Sequence, residues 1–328
     1  MLKVLNGGIE TLVEDPPGRL GYLSKGMAPS GAMDNLALSF ANLLVGNSLT
    51  EAGLEITGGY FEVEIGIKTI ISITGSNMKP TINGKDVQMY EAIEVKSDDV
   101  LRFGHFGDTG FRSYIGIAGG IDVPDYLGSK STCLFGNYGG FKGRKLQRGD
   151  ILNFGKHSQN VENLIGKKIN RRNIPAYTNE WEIKVMCGPN TCPDYITLEG
   201  MSYLFDNSFK IQLSSNRSAY RLEEIQINNF FARKDGGEGG AHPSNIIDHA
   251  YGMPGALNIC GNTPVLLAVD GPTLGGYICV FTIIKSDLWK LGQGTPGRDY
   301  IKFINLSRQE AVEEWRKFKS LFLENSFE

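Results

Sequence analysis

The segment of this chain with the most unusual composition is RKDGGEGGAHPSN, at residues 233–245. Four glycines surround Glu238, and charged residues and a His-Pro-Ser turn flank them. Glycines let a backbone approach a ligand closely, and their amides can hold an oxyanion. Two interpretations stay open from the residues alone: a flexible surface loop, or a loop that lines a pocket and adds Lys234 and His242 as donors.

A second cluster, VDGPTLGGY at residues 269–277, follows the apolar run PVLLAV. An acid, Gly-Pro and then Gly-Gly before the next strand predict a constrained turn. Either the segment is only a tight turn, or it places Asp270 and Thr273 at the rim of a pocket. In the first half of the chain, Arg19 of PPGRLGY either reaches a carboxylate or pairs with a surface acid.

Familiar catalytic signatures are absent from the sequence. It contains no Gly-x-Ser-x-Gly elbow, no phosphate loop with Gly-Lys-Ser/Thr and no His-Glu-x-x-His. His242 and His249 are seven residues apart, and a metal site would need Asp248 and a further ligand beside them. We interpret these histidines as loop residues with hydrogen-bond partners and predict no metal.

Most of the chain has residue patterns that are typical of short β-strands. We therefore expect short strands to position these loops. Alternating or β-branched runs predict strands at 60–65, 68–74, 114–118 and 264–269. Asn83-Gly84 predicts a two-residue hairpin. Together with 42 glycines in 328 residues, these patterns favour a mainly β fold of barrels or sandwiches.

Four helices are predicted between the strands. The first begins at a capping Asp34 and ends near Leu44. Others are expected at 194–205 and near 286–291, and the last follows a capping box of Ser307 and Glu310, with Ala311, Trp315, Phe318 and Phe322 on one face.

Two domains are expected from the length of the chain and from a polar stretch between about Gly155 and Ile183. We place them at 1–160 and at 161–328, the second with the terminal helix. A turn-into-strand pattern, Asp-x-x-x-Phe, occurs in both halves, at 99–103, 150–154 and 299–303. The pattern is most simply a common way for a chain to turn into a strand, although its presence in both halves also agrees with two related β domains.

The net charge of the chain argues against some classes of binding partner. The net charge is −3 and no basic block occurs, which argues against nucleic acid and anionic membranes. No apolar run approaches the ~18 residues of a membrane span. The N-terminal residues lack the apolar core of a signal peptide, and five scattered cysteines are typical of free thiols. We therefore expect a cytoplasmic protein.

The chain resembles the allophanate hydrolase subunit 2 family, also called the biotin-dependent carboxyltransferase family, from Leu5 to Phe303. Matching motifs in the first half are GRLGY at 18–22, SGAMD at 30–34, AGGIDVP at 118–124 and LGSKST at 127–132. In the second half, 231–245, 261–277 and 288–299 are most similar to the urea carboxylase branch. The branch formed by the C component of 5-oxoprolinase usually lacks the Lys-Asp-Gly-Gly-Glu-Gly-Gly loop.

The resemblance implies two cyclophilin-like β-barrel domains and a carboxyltransferase component that moves a carboxyl group from carboxybiotin to urea or a similar small amide or guanidine. It also implies two partners: an allophanate hydrolase subunit 1-like protein, and a biotin carboxylase with a biotinyl carrier. This sequence has no ATP-binding module and no Ala-Met-Lys-Met site. We therefore expect biotin to be carried on a partner protein.

Carboxyl transfer needs an aligned donor and acceptor and oriented dipoles, with no protein nucleophile or metal in principle. We predict Lys234, Asp235 and His242 as catalytic residues. The predicted substrate-binding residues are Gly236, Gly237, Glu238, Ser244, Asn245, Asp270 and Thr273. Two other functions stay open: the C component of an ATP-dependent 5-oxoprolinase, which uses no biotin, and a non-catalytic regulatory binding protein.

Overall fold

The computed structural model describes residues 1–157, 161–249, 253–323 and 326–327, without the side chains of Asp248 and His249. The chain forms two compact units. Unit 1 consists of Met1–Leu20, Ser30–Tyr177 and Leu321–Glu328, and unit 2 of Gly21–Pro29 and Thr178–Ser320. The domain limits at residues 160 and 161 stay a prediction.

In its described residues, unit 1 is built from short strands and one α-helix, α1 (Asn35–Leu44). Its strands are β1 (Leu2–Gly7), β2 (Glu10–Glu14), β3 (Gly53–Thr57), β4 (Phe61–Ile65), β5 (Thr69–Gly75), β6 (Thr81–Ile82), β7 (Lys85–Asp86), β8 (Ala92–Val95), β9 (Val100–Arg102), β10 (Arg112–Ile117), β11 (Ile121–Asp122) and β12 (Ile151–Phe154).

These strands form two antiparallel sheets, in the orders β11-β12-β1-β4-β9-β6-β7 and β2-β3-β10-β5-β8. One apolar core contains side chains from both sheets, with Val4 and Val63 from the first and Ile56 and Ile115 from the second. Burial of this cluster is the main force that holds the two sheets together. Helix α1 packs on β5 and β10.

Two local predictions for unit 1 are confirmed. The Asp34 side chain accepts the Ala37 amide at 2.8 Å and so caps α1. Asn83 and Gly84 both have positive φ, of 51° and 80°, and join β6 to β7. That backbone conformation is the one a two-residue hairpin turn needs.

A buried ion pair joins β3 to β10. Arg112 Nε lies 3.3 Å from Glu55 Oε1, and the two side chains are 2% and 0% exposed. The other oxygen of Glu55 accepts the Met33 amide at 2.7 Å and the Tyr114 hydroxyl at 2.8 Å. Because this carboxylate on β3 faces groups from β10 and from the segment before α1, it fixes that segment against the sheet.

Arg19 is buried too, at 1% exposure. Its guanidinium packs against a pair of neighbouring rings, those of Tyr126 and Tyr138, at 5.3 and 4.9 Å from the ring centroids. It donates to the carbonyl oxygens of Tyr126 and Ser131. The expected pairing with a surface acid was therefore wrong: this cation contacts two tyrosine rings and two backbone carbonyls.

Unit 2 has the strands β13 (Glu180–Cys187), β14 (Ser208–Lys210), β15 (Ala219–Arg221), β16 (Asn245–His249), β17 (Ala256–Cys260), β18 (Thr263–Leu267), β19 (Gly275–Tyr277), β20 (Cys279–Ile283) and β21 (Tyr300–Asn305). Its helices are α2 (Leu198–Asp206), α3 (Leu288–Gln293) and α4 (Arg308–Ser320). Seven strands form a sheet in the order β14-β21-β13-β20-β17-β18-β15, and β16 pairs with β19 in a separate ribbon. The β13–β21 pairing is parallel.

The helices of unit 2 follow the sequence signals with shifted ends. Helix α2 begins four residues later than expected, because Thr197 caps it by accepting the Gly200 amide. The capping box at α4 is confirmed, since Ser307 and Glu310 bond each other's amides. Phe322 was wrongly placed on this helix: α4 ends at Ser320, and Phe322 packs on Phe40 in unit 1.

The expectation of a mainly β protein with a few helices is confirmed. Over the described ranges the hydrogen-bonded sheets are open ladders and do not close into complete barrels. Within the same ranges, no helix has the length and apolar character needed to cross a membrane.

Replacing Arg112 by Met should expose the role of the buried ion pair. The Glu55 carboxylate would remain buried without its cation, which costs about 3–5 kcal/mol. Native-state hydrogen exchange of the β5 and β10 amides measures this loss. The matched control is Arg102→Met, because Arg102 pairs with Glu62 at 2.8 Å on the surface and such pairs contribute less than about 1 kcal/mol. Equal effects of the two changes would contradict this account.

Candidate functional site

The glycine-rich loop of unit 2 is a folded turn that satisfies its own backbone. Residues Gly237–Gly239 form a single 3-10 turn. The amides of Gly236, Gly239 and Gly240 donate to carbonyl oxygens inside the loop, and the Gly237 amide donates to Asp235 Oδ1 at 2.9 Å. These four glycine amides are therefore occupied within the loop and are not presented to an oxyanion.

Glycine is required in this loop for close packing. A Cβ at Gly239 would lie 2.6 Å from the carbonyl carbon of Ile246 on β16. Gly240 has a φ of +124°, a value that residues with a side chain rarely adopt. The loop therefore packs closely against β16 as a defined structure. This packing argues against the interpretation as a flexible surface loop.

Arg233 connects the two ends of the loop. Its Nε donates to the Asp235 carbonyl at 3.0 Å and its Nη2 to the Asn245 carbonyl at 3.2 Å. The guanidinium also lies over the ring of Tyr195, at 5.1 Å from the centroid. A planar cation with several fixed donors is suited to this joining role. Arg233 was not among the predicted site residues, although its place in the charged run that precedes the glycines was the available signal.

The His242 ring is oriented by its neighbours. Its Nδ1 accepts the Ser244 amide at 3.1 Å and lies 2.8 Å from the Ser244 hydroxyl. The edge-on contact with the Phe231 ring, at 5.4 Å, fixes its plane. Because Nδ1 accepts a backbone N–H, the neutral ring carries its proton on Nε2. His242 is therefore prepared to donate a hydrogen bond from Nε2.

Ser244 lies beneath the loop and is 0% exposed. Its hydroxyl accepts the Gly261 amide at 3.1 Å and lies 3.3 Å from Asn245 Oδ1, while its carbonyl accepts the Ile278 amide. The ribbon of β16 and β19 continues from here, with Asn245 opposite Tyr277. A hydrogen bond with Cys260 raises the pKa of the Tyr277 hydroxyl.

The second predicted cluster is arranged differently. Asp270 is buried, and its Oδ2 accepts Arg217 Nε at 2.9 Å. Its other oxygen, Oδ1, is buried without a hydrogen-bond partner in the described part of the chain. Thr273 is half-buried in the turn before β19. Arg217 was not among the predicted site residues, and no sequence motif marked it.

Most of the predicted residues lie on one loop and its adjoining strand because they are close in the sequence, whereas Asp270 and Thr273 lie on the separate turn before β19. Lys234, Asp235 and Glu238 are exposed, Gly236 is buried, and Gly237 is exposed at the start of the 3-10 turn. The histidine pair considered for a metal falls partly outside the described residues, since the side chains of Asp248 and His249 are not described. Elsewhere in the described ranges, no group of three metal-ligating side chains occurs.

The loop therefore combines an exposed lysine, Lys234, with a ring N–H donor on His242. Such donors stabilise negative charge that develops on an oxygen during a reaction. Residues 25–305, which contain this loop, match the model of the carboxyltransferase domain, subdomains A and B. The chain belongs to the carboxyltransferase domain family, and the resemblance inferred from its motifs is confirmed.

Individual relatives fall into two groups. The chain is 39% identical to urea amidolyase of Saccharomyces cerevisiae over 307 residues, which are 93% of this chain and 16% of that protein. The structure of the Kluyveromyces lactis urea carboxylase superposes with a TM-score of 0.91 at 37% identity, over 98% of this chain and 28% of that one. The C component of 5-oxoprolinase from Escherichia coli is 31% identical over 315 residues, 95% of this chain and 93% of that one.

Removing the Arg233 side chain should loosen the loop without unfolding unit 2. In Arg233→Ala, the hydrogen bonds to Asp235 and Asn245 disappear, and bonds that involve a charged donor contribute about 1.5–3 kcal/mol. We expect amide exchange at Gly236 and Gly239 to accelerate roughly tenfold or more. Hydrogen exchange read by NMR measures this directly.

The matched control is Arg308→Ala, an exposed arginine at the start of α4 in the same unit. This change should leave the loop amides unaltered. If both variants leave the exchange of Gly236 and Gly239 unchanged, Arg233 does not hold the loop.

Proposed function

We propose that this chain is the subunit 2 type carboxyltransferase component of a multi-subunit biotin-dependent carboxylase, with urea or a similar small amide or guanidine as the acceptor. The observation that carries the proposal is the ordered loop of residues 233–245, which lies inside the matched family region and presents Lys234 and the His242 Nε2 proton. The 39% identity to a urea amidolyase supports the choice of acceptor.

The donor groups of this loop fit an oxygen-rich ligand. Carboxybiotin, when bound, supplies the activated carboxyl group. In the overall transfer, a bond forms between the acceptor nitrogen and the carboxyl carbon, the bond from that carbon to biotin breaks, and the acceptor proton passes to biotin. No electrons are gained or lost. Lys234 and His242 would stabilise negative charge on oxygen and align it, so a protein nucleophile is not needed.

The other predicted residues take supporting roles in this proposal. Asp235 keeps the turn closed through the Gly237 amide, Ser244 holds the His242 ring, and Asn245 lies next to the Ser244 hydroxyl. Glu238, exposed on the turn, and Thr273 would contact the acceptor. Asp270, whose carboxylate is buried against Arg217, would order the turn that carries Thr273.

Other components would complete the reaction. The proposed partners are an allophanate hydrolase subunit 1-like protein and a biotin carboxylase with a biotinyl carrier, which brings biotin to the site. This chain corresponds to 16% of a urea amidolyase, a size that agrees with one component of a larger assembly. The cytoplasm is the proposed location.

One observation favours a second function. The match to the C component of 5-oxoprolinase covers 93% of that protein, so the two chains correspond almost end to end. In that role, this chain would take part in ATP-driven opening of a lactam ring without biotin. The glycine-rich loop would then bind the lactam or its carboxylate.

Purification of the tagged chain from its native cell extract separates these functions. Streptavidin detection of a co-purifying biotinylated protein, followed by urea-dependent ATP hydrolysis in the purified complex, supports the carboxyltransferase. Urea should then be compared with guanidine at equal concentration. A partner without biotin, together with ATP hydrolysis that depends on 5-oxoproline, would replace the proposal with the second function.

His242→Asn tests the proposed donor within the assembled complex. Asparagine can place an oxygen near the position of Nδ1, where it accepts the Ser244 amide, but it lacks the Nε2 proton. Loss of one such donor should slow transfer about 100-fold. Steady-state turnover gives the rate, and hydrogen exchange of the Ser244 amide shows whether the loop is retained.

The control for histidine loss is His105→Ala, which removes an exposed histidine of unit 1. It should keep full activity. Turnover of His242→Asn within about threefold of the unaltered protein would show that the Nε2 proton plays no part in transfer.

A further inference from the structure

Unit 1 contains a cleft that the proposed carboxyl transfer does not use. Its volume is about 480 Å³, within the range of small-molecule sites. Gly75, at the end of β5, the buried Tyr90 and the half-buried Tyr177 line it. All of its lining residues belong to unit 1.

Two tyrosines of the cleft lie in a chain of hydrogen bonds that ends on a buried carboxylate. The Tyr177 hydroxyl donates to Asp34 Oδ2 at 3.2 Å, and the hydroxyls of Tyr90 and Tyr177 are 3.4 Å apart. The Tyr90 oxygen also accepts the Gly75 amide at 3.0 Å. Burial raises the pKa of both tyrosines, so they remain neutral at physiological pH. The cleft therefore has electron-rich rings backed by an acid, and such a surface attracts an ammonium group.

Two opposite charges lie at the exposed edge of the same cleft. Lys79 and Asp108 both line it, and neither forms an ion pair with another residue in the described ranges. Lys79 is held in a left-handed backbone conformation, with a φ of +48°, and its amide bonds Asn77 Oδ1 at 2.8 Å. Asn77 also lines the cleft. A fixed backbone places the lysine beside the opening without neutralising it.

The remaining walls are apolar. Met89, Ile174 and Pro175 are partly buried there and contribute no charge. A ligand that contacts every wall of the cleft needs three parts. It needs an ammonium group for Asp108 and the tyrosine rings, a carboxylate for Lys79, and a short aliphatic part for the apolar walls.

We propose that this cleft binds a free α-amino acid with an aliphatic side chain. The ammonium group lies over the tyrosines beside Asp108, the carboxylate meets Lys79, and the side chain packs on Met89, Ile174 and Pro175. The site is separate from the loop at 233–245 and does not rest on the carboxyltransferase function.

The probe is L-leucine, titrated into the intact chain and followed by backbone amide NMR. Two analogues each lack one charge: isoamylamine has no carboxylate, and 4-methylpentanoate has no ammonium group. We expect saturable shifts at Asn77, Gly107 and Thr109 with leucine, and binding at least about threefold weaker for each analogue. Lys79→Met and Asp108→Asn should each weaken leucine binding by a similar factor, about three- to fivefold.

Lys85→Met and Asp86→Asn are matched controls, because both residues are exposed on β7 in unit 1 and do not line the cleft. They should leave leucine binding unchanged. The proposal is overturned if leucine causes no saturable shift around the cleft, if the shifts lie elsewhere, or if an analogue binds as tightly as leucine. Equal weakening by the control variants would also overturn it.

Discussion

The buried hydroxyl of Ser244 is the interaction on which the candidate site depends. From a position with no exposure, its oxygen accepts the Gly261 amide, and its one proton can be donated to the His242 ring or to the Asn245 side chain. A hydroxyl can both donate and accept, so one small side chain links a loop, a strand and the β17–β18 turn. The orientation of His242 is therefore set by the sheet beneath it, and not by the loop alone.

Buried arginines show three ways in which this fold places a charge away from water. Arg112 faces a carboxylate with several other donors, and Arg217 holds one oxygen of Asp270 and leaves the second without a bond. Arg19 packs against two neighbouring tyrosine rings and donates to two backbone carbonyls. Burial of a charge costs free energy unless an opposite charge or hydrogen bonds compensate it. The three arginines differ in the groups that provide this compensation. Among these three, the Asp270 arrangement leaves a carboxylate oxygen with unused acceptor capacity.

Sequence patterns predicted local structure better than they predicted burial. Capping by Asp34, the Asn83-Gly84 hairpin and the Ser307–Glu310 box depend on neighbours within four residues, and all three are present. The glycine-rich loop was located correctly, but the internal use of its amides depends on Arg233 and β16, which no local pattern encodes. The pairing of Asp270 with Arg217 spans 53 positions in the chain and had no signal in the sequence.

In the sheet of unit 2, strand β13 pairs with two strands that are synthesised much later, β20 and β21. Strand β13 starts at Glu180, but its neighbours β20 and β21 begin only at Cys279 and Tyr300. Both edges of β13 therefore remain uncovered while about a hundred further residues are translated, several seconds at ribosomal speed. Uncovered strand edges attract other chains, so β13 stays open to wrong pairing until β20 and β21 have been made.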